Sequence, residues 1–129
     1  MLRVGKALAR RPLNGHLMAG VAALYLLNRL ILKDVTAGWL HLLCKNHLND
    51  LACPLLFLPA AEVLLIAIGR EQTAFPAVFA IGLSAGLIWE YVGPIINPRS
   101  TSDPLDLLCY CAGTCLYYGL LKTAVRRHP

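Results

Sequence analysis

The stretch Trp89–Tyr110, WEYVGPIINPRSTSDPLDLLCY, decides the fold because it joins two apolar runs through one polar turn. The first run ends at Glu90, and the second opens with Asp103 and Asp106. The turn between them is rich in proline, serine and threonine, and it carries Arg99. This pattern predicts a hairpin of two helices whose mouth holds carboxylates and a cation.

The composition extends this prediction to the whole chain. The 129 residues are 57% hydrophobic and only 15% charged, and the mean hydropathy is +0.59. Such a chain has too few polar residues to cover a soluble domain, and its apolar runs approach the roughly 20 residues that span a bilayer. We therefore predict a single all-α domain over residues 1–129, an integral membrane bundle of four transmembrane helices. The expected spans are 14–32, 48–68, 73–91 and 103–121, with a short interfacial helix over 38–47 between the first two.

Residues inside the spans refine the expected packing. Pro54 and Pro59 lie within the second span and predict a kink or a broken helix there. Gly82 and Gly86 form a G-x-x-x-G pattern, which allows two helices to approach closely. That approach serves either packing within the bundle or a dimer face. No small-residue cleavage site follows the first apolar run, so we expect it to stay as a span.

The basic residues predict the orientation. With four spans, both tails share one side of the membrane, and Lys and Arg concentrate on the cytoplasmic side. The net charge of +5 therefore indicates membrane orientation and anionic lipid, and not nucleic acid. The side of the tails carries eight of the twelve bases: Arg3, Lys6, Arg10, Arg11, Arg70, Lys122, Arg126 and Arg127.

Most of the acids fall at the opposite end of the spans: Asp34, Asp50, Glu90, Asp103 and Asp106. Three interpretations of this group remain open. The acids pair with Arg29 and Arg99 and hold the outer ends of the helices together. Alternatively, free carboxylates bind Mg²⁺ or Ca²⁺, which prefer oxygen ligands. In the third interpretation they bind the polar head of a lipid or a cell-wall precursor. Helix capping alone also explains Asp103 and Asp106.

Two further features are candidates for chemistry. Glu62 lies inside the second apolar run, where a structural hydrogen bond to Tyr117, Tyr118 or Ser84 competes with a proton or substrate relay. A set of transition-metal ligands recurs every three residues, although chelation favours a spacing of four: His41, Cys44 and His47. The five cysteines lie in or beside apolar runs without a C-x-x-C pattern, which is typical of buried small hydrophobes.

Three segments together resemble a group of small uncharacterised bacterial membrane proteins of Bacteroidetes type, sometimes labelled magnesium–citrate secondary transporters. The segments are Leu48-Asn49-Asp50-Leu51 followed by Pro54, Trp89-Glu90 followed by Pro94, and Ser102-Asp103-Pro104 followed by Asp106, Tyr110 and Gly113. The layout is also similar to that of VanZ-like proteins, in which acids gather at the outer ends of spans. The resemblance adds Asn49, Ser102 and Tyr110 to the expected ligand-binding residues, which already include Arg29, Asp50, Glu90, Arg99, Asp103 and Asp106.

The function that we favour from the sequence is a non-enzymatic one. We expect a multi-pass protein of the bacterial inner membrane, with both termini cytoplasmic and an outward-facing acidic site. That site would bind a lipid head group, an envelope precursor or a partner. A transporter of a divalent cation or a citrate-like anion is one alternative, and a membrane enzyme acting on lipid-linked substrates is the other.

Overall fold

The computed structural model describes residues 2–96 and 103–127, and this part of the chain is all-helical. A short helix α1, Leu2–Arg10, precedes four helices that are long and apolar enough to cross a membrane. These are α2 (Pro12–Val35), α3 (Gly38–Ala67), α4 (Phe75–Ile96) and α5 (Pro104–Arg127). The predicted four-span bundle is thus confirmed in its helix count and apolar character.

The predicted interfacial helix over 38–47 is not confirmed as a separate element. Its residues are the first part of α3, which continues through Leu43–His47 into Leu48–Ala52 and on to Ala67. At 30 residues, α3 is about 45 Å long, whereas the hydrocarbon core of a bilayer is about 30 Å thick. A helix of this length matches such a core only if it tilts or projects beyond it. The sharp turn at the start of α3 uses Gly38, whose φ of +62° suits glycine.

Helix α1 replaces what the sequence indicated only as a basic lead-in. Its Ala7 is buried, and the helix packs against the Pro54–Ala67 part of α3. Arg11 follows with a non-helical backbone (φ −130°, ψ 72°), and Pro12 then starts α2. The basic side chains of α1 remain exposed: Arg3, Lys6 and Arg10.

The two glycines of the G-x-x-x-G pattern are buried between α4 and α5. A Cβ atom on Gly82 would meet Thr114 Oγ1 at 2.2 Å, and one on Gly86 would meet Tyr110 Cβ at 3.1 Å. The pattern allowed either packing within the bundle or a dimer face, and in the structure the two glycines pack within the bundle. Gly113 of α5 likewise allows a close approach to α3, because a Cβ atom there would lie 2.3 Å from the carbonyl oxygen of Leu51.

The core of the bundle is narrow, and much of its apolar surface faces outward. The buried cluster consists of Leu58, Val78, Tyr117 and Leu121. Large apolar side chains are exposed along all four long helices, among them Leu30, Leu64, Ile88 and Leu108. A soluble monomer rarely exposes so much apolar surface, whereas a bundle in a membrane places such a surface against the lipid chains.

Candidate ligand-binding site at the acid-rich end

Three π-helical turns lie at one end of the bundle, which we call the acid-rich end. It is the end where α2 and α4 finish and where α3 and α5 begin. The turns are Asn28–Leu32, Leu43–His47 and Ile88–Val92. Each turn buries one residue with a polar atom: Asn28, Cys44 and Glu90 respectively. Single π turns inside α-helices occur frequently at functional sites.

Asn28 joins α2 to α3 at this end. Its side chain is fully buried, and its Nδ2 donates to the carbonyl oxygen of Cys44 at 2.8 Å and to Asn49 Oδ1 at 3.1 Å. Asn49 was predicted as a ligand residue, and this contact fixes its amide. Asn28 was not predicted, although a polar residue near the end of an apolar run is a recognisable signal.

Glu90 and Asp103 meet across the hairpin, as the sequence predicted. Glu90 is only 5% exposed, and its Oε1 accepts a hydrogen bond from the backbone N–H of Asp103. Asp103 in turn accepts from the backbone N–H of Leu105 at 2.9 Å, which is the expected helix cap ahead of Pro104. Glu90 therefore has a hydrogen-bond donor within the protein, and Asp103 caps the N-terminus of α5.

Asp106 also has a protein partner. His47 Nδ1 lies 2.9 Å from Asp106 Oδ1, so the first part of α3 is tied to the first turn of α5. His47 thus contacts a carboxylate, while Cys44 is buried in the helix packing. Within residues 2–96 and 103–127, no group of three or more His, Cys, Asp or Glu side chains is arranged to hold a metal ion.

Asp50 differs from the other described acids of this end because it lines a cavity. The cavity has a volume of about 470 Å³ and brings together all four long helices. Among the described residues, no other side chain forms an ion pair or a hydrogen bond with Asp50. Two further predicted site residues, Asn49 and Tyr110, share the cavity with it. The lining consists of Val21, Tyr25, Asn49, Asp50, Ala52, Cys53, Leu56, Trp89 and Tyr110.

The lining includes residues that the sequence did not single out as ligand contacts. Cys53 lies three residues after Asp50 and therefore on the same side of α3. Tyr25 precedes Asn28 by three residues on α2, and Trp89 adjoins Glu90 on α4. Helical spacing from the polar residues would have identified Cys53 and Tyr25. The inward approach of Trp89 depends on how α4 packs.

Two of the acids at this end are each followed by a proline four positions later. The pairs are Asp50 with Pro54 and Glu90 with Pro94. Because proline has no N–H, the carbonyl oxygens of Asp50 and Glu90 cannot accept the helical hydrogen bond from those positions. Cys53, between Leu48–Ala52 and Pro54–Ala67, keeps helical backbone angles (φ −54°, ψ −47°), so the kink predicted from proline stays a prediction.

The predicted cations do not fill the site in the described part of the chain. Arg29 is exposed, and its Nη1 donates to the hydroxyl of Tyr25 at 3.2 Å. None of the ion pairs among the described residues involves Arg29. Arg99 and Ser102, the other predicted members of the site, lie outside the described residues.

Glu62 belongs to a second polar cluster at the opposite end, which we call the tail end. It is 4% exposed, and its Oε2 accepts from Asn14 Nδ2 at 2.8 Å and from the Tyr117 hydroxyl at 2.7 Å. Its Oε1 lies 3.6 Å from Arg11 Nε. The predicted hydrogen bond to Tyr117 is therefore present. The sequence did not indicate Arg11, because a base before the first span is indistinguishable from a tail residue.

Arg11 also forms an ion pair with Glu71, and Arg10 Nη2 lies 2.8 Å from Glu71 Oε2. This second carboxylate thereby ties the chain before α2 to the connection between α3 and α4. The two described carboxylates of the tail end, Glu62 and Glu71, are both paired with bases.

Comparison of the chain with protein-family models, with curated proteins and with solved structures gave no match. The likeness to the small bacterial family and to VanZ-like proteins therefore stays a prediction from the quoted segments.

Proposed function

We propose that this protein binds the polar head group of a membrane lipid or of a lipid-linked envelope precursor at the acid-rich end. The observation that carries the proposal is the position of Asp50. Asp50 lines a cavity between the four helices, and its carboxylate has no partner among the described side chains. Glu90 and Asp106, by contrast, already have protein partners.

The lining of the cavity suits an amphiphilic ligand. Val21, Ala52 and Leu56 supply apolar contact, while Asn49 and Asp50 supply polar groups on the same wall. The volume of about 470 Å³ is within the roughly 300–1,000 Å³ of small-molecule sites. A head group with part of its attached chain would satisfy both kinds of surface.

Exposed aromatic residues support lateral entry from the bilayer. Trp89 is 63% exposed and Tyr25 is 42% exposed, yet both also line the cavity. Side chains that share a cavity and the outer surface border its opening. Trp and Tyr are favoured at the level of the lipid head groups. The opening thus faces the region in which a lipid presents its polar end.

The charge of the site favours a head group that donates hydrogen bonds. The charges of Asp106 and Glu90 are close enough to repel a negative charge on Asp50, and His47 acts in the opposite direction. A carboxylate accepts hydrogen bonds from ammonium and hydroxyl groups. We therefore propose a head group with N–H or O–H donors near Asp50. The excess of basic residues at the tail end supports an outward orientation for this site in a bacterial inner membrane.

The separation of the two polar clusters favours binding over transport. Asp50 and Glu62 are twelve residues apart on α3, about 18 Å along a helix. Buried apolar residues, Leu58 and Val63, accompany Glu62 on this helix. Glu62 itself is hydrogen-bonded and ion-paired within the protein. The polar groups at the two ends thus form separate clusters.

Native mass spectrometry of the purified full-length protein tests the proposal. The probes are phosphatidylethanolamine, which carries N–H donors, and phosphatidylcholine, which does not. We expect a preference for the ethanolamine lipid, and we expect Asp50→Asn to weaken its binding by roughly 10-fold or more, as for loss of a charged hydrogen bond. Asp34→Asn is the matched control, because Asp34 is exposed at the same end.

Equal binding of the two lipids, or equal weakening by the two substitutions, would contradict the proposal. Turnover of an added lipid-linked substrate by the purified protein would instead support the enzymatic alternative. A circular dichroism spectrum of each variant separates loss of the ligand from loss of the fold.

A further inference from the structure

A second cavity lies at the tail end, far from Asp50. It has a volume of about 180 Å³ and is formed by the last turns of α5 and by Thr73, just before α4. Two bases, Lys122 and Arg126, line it one helical turn apart. The remaining lining residues are Thr73, Tyr118, Leu121 and Val125.

Contacts with the Tyr118 side chain place the ammonium group of Lys122. Its Nζ donates to the Tyr118 hydroxyl at 3.3 Å and lies 5.5 Å from the centre of the same ring. The Tyr118 ring is held in turn by Phe75, in an edge-on arrangement with 5.0 Å between ring centres. The cation is thus oriented by α4 and α5 together, although it is exposed.

The two bases are not neutralised by the described acids of this end. Glu71 pairs with Arg10 and Arg11, and Glu62 pairs with Arg11. None of the ion pairs in residues 2–96 and 103–127 uses Lys122 or Arg126. The cavity consequently presents two positive charges beside the Thr73 hydroxyl, a hydrogen-bond donor.

We propose that this cavity binds the phosphate group of an anionic membrane lipid. Lys122 and Arg126 supply the charge, and Thr73 supplies a neutral donor. Leu121 and Val125 offer apolar contact to the part of the lipid next to its phosphate. Basic pockets between membrane helices on the cytoplasmic side bind acidic lipid head groups in this way. The site is separate from the acid-rich end, since it has the opposite charge and shares no lining residue with the Asp50 cavity.

A lipid titration in neutral detergent at about 0.15 M salt tests the assignment. The probes are phosphatidylglycerol, phosphatidylcholine and inorganic phosphate, and the readout is the bound fraction by native mass spectrometry. Charges farther away than about 8 Å are screened at that salt concentration. We expect Lys122→Gln with Arg126→Gln to weaken phosphatidylglycerol binding by roughly 25-fold, about 5-fold for each charge.

The control removes the same charge elsewhere on the tail end. Arg3→Gln with Lys6→Gln alters two exposed bases of α1 that lie outside the cavity lining. We expect less than a 2-fold change from that control. Equal weakening by the two double variants, or equal binding of both lipids, would overturn the proposal. Tyr118→Phe provides an independent check, because it removes the hydroxyl partner of Lys122 and should lower binding by a smaller factor.

Inorganic phosphate distinguishes the source of the anion. Binding of phosphatidylglycerol alone supports a lipid site. Competition by phosphate at millimolar concentration, lost in Lys122→Gln with Arg126→Gln, would support the phosphate site and assign it to a soluble anion instead.

Discussion

His47 and Asp106 lie 59 positions apart in the chain, and His47 Nδ1 is 2.9 Å from Asp106 Oδ1. Their side chains are 24% and 21% exposed. The contact connects α3 to the first turn of α5, where a carboxylate is also favoured by the positive end of the helix dipole. Asp106 is therefore a structural acid, and its proximity to Asp50 is a consequence of this connection.

A double-mutant cycle with His47→Ala and Asp106→Ala should reveal this contact. We expect a coupling free energy of about 1 kcal/mol, because the pair is partly buried and charge-assisted. Thermal unfolding of the four proteins in detergent measures it. Additive effects of the two substitutions would show that the contact contributes nothing to stability.

Substitution of Glu62 should affect stability and leave ligand binding intact. Glu62→Gln removes the charge that Asn14, Tyr117 and Arg11 share, so we expect a loss of about 1–3 kcal/mol in the free energy of unfolding. The loss of unfolding free energy in the double variant Tyr117→Phe with Glu62→Gln should be smaller than the sum of the two single losses.

The corresponding binding measurement separates a structural role from a relay. Glu62→Gln should bind phosphatidylethanolamine within 2-fold of the native protein, with Asp50→Asn as the comparison. Loss of ligand flux at unchanged melting temperature would instead assign Glu62 to a transport path.

Replacing Gly113 should destabilise the bundle more than replacing Gly119 in the same helix. A Cβ atom on Gly113 would lie 2.3 Å from a backbone oxygen, whereas one on Gly119 has nothing within 4 Å. We expect Gly113→Ala to cost about 1–3 kcal/mol and Gly119→Ala to be neutral or stabilising by up to about 1 kcal/mol. Thermal unfolding of both variants provides the comparison, and similar melting temperatures would contradict the close contact of α5 with α3.

Cysteine accessibility should reveal the orientation in the membrane. Gln72 is exposed in the connection between α3 and α4, and Asp34 is exposed at the opposite end. In a background without the five native cysteines, an impermeant maleimide should label Asp34→Cys in intact cells. It should label Gln72→Cys only after lysis. The reverse pattern would place the acid-rich end in the cytoplasm.

The sequence predicted the helices better than it predicted which side chains meet. Apolar runs determine the spans, and the hairpin places Glu90 beside Asp103 because the two positions flank one connection. One of the three open interpretations paired Arg29 with the acids, but adjacent helical residues lie about 100° apart. Since Asn28 occupies the buried side, Arg29 faces outward.

The segment over 38–47 shows a second limit of sequence patterns. Its polar residues favoured an interfacial helix, yet the segment is the first part of α3. There His47 contacts Asp106, and the carbonyl oxygen of Cys44 accepts from Asn28. Such partners come from distant parts of the chain, and no local pattern specifies them. No local pattern specifies the contact of Arg11 with Glu62 either, because the sequence placed Arg11 in the tail and Glu62 in a span.

The prolines that follow Asp50 and Glu90 change what mutagenesis of this site can measure. At both positions the main-chain oxygen lacks its usual donor four residues later. Substituting either acid removes a carboxylate but retains that oxygen, so residual affinity in the variants would still have a molecular source. Chemical replacement of the backbone amide by an ester, which weakens the carbonyl acceptor, would address this part of the site directly.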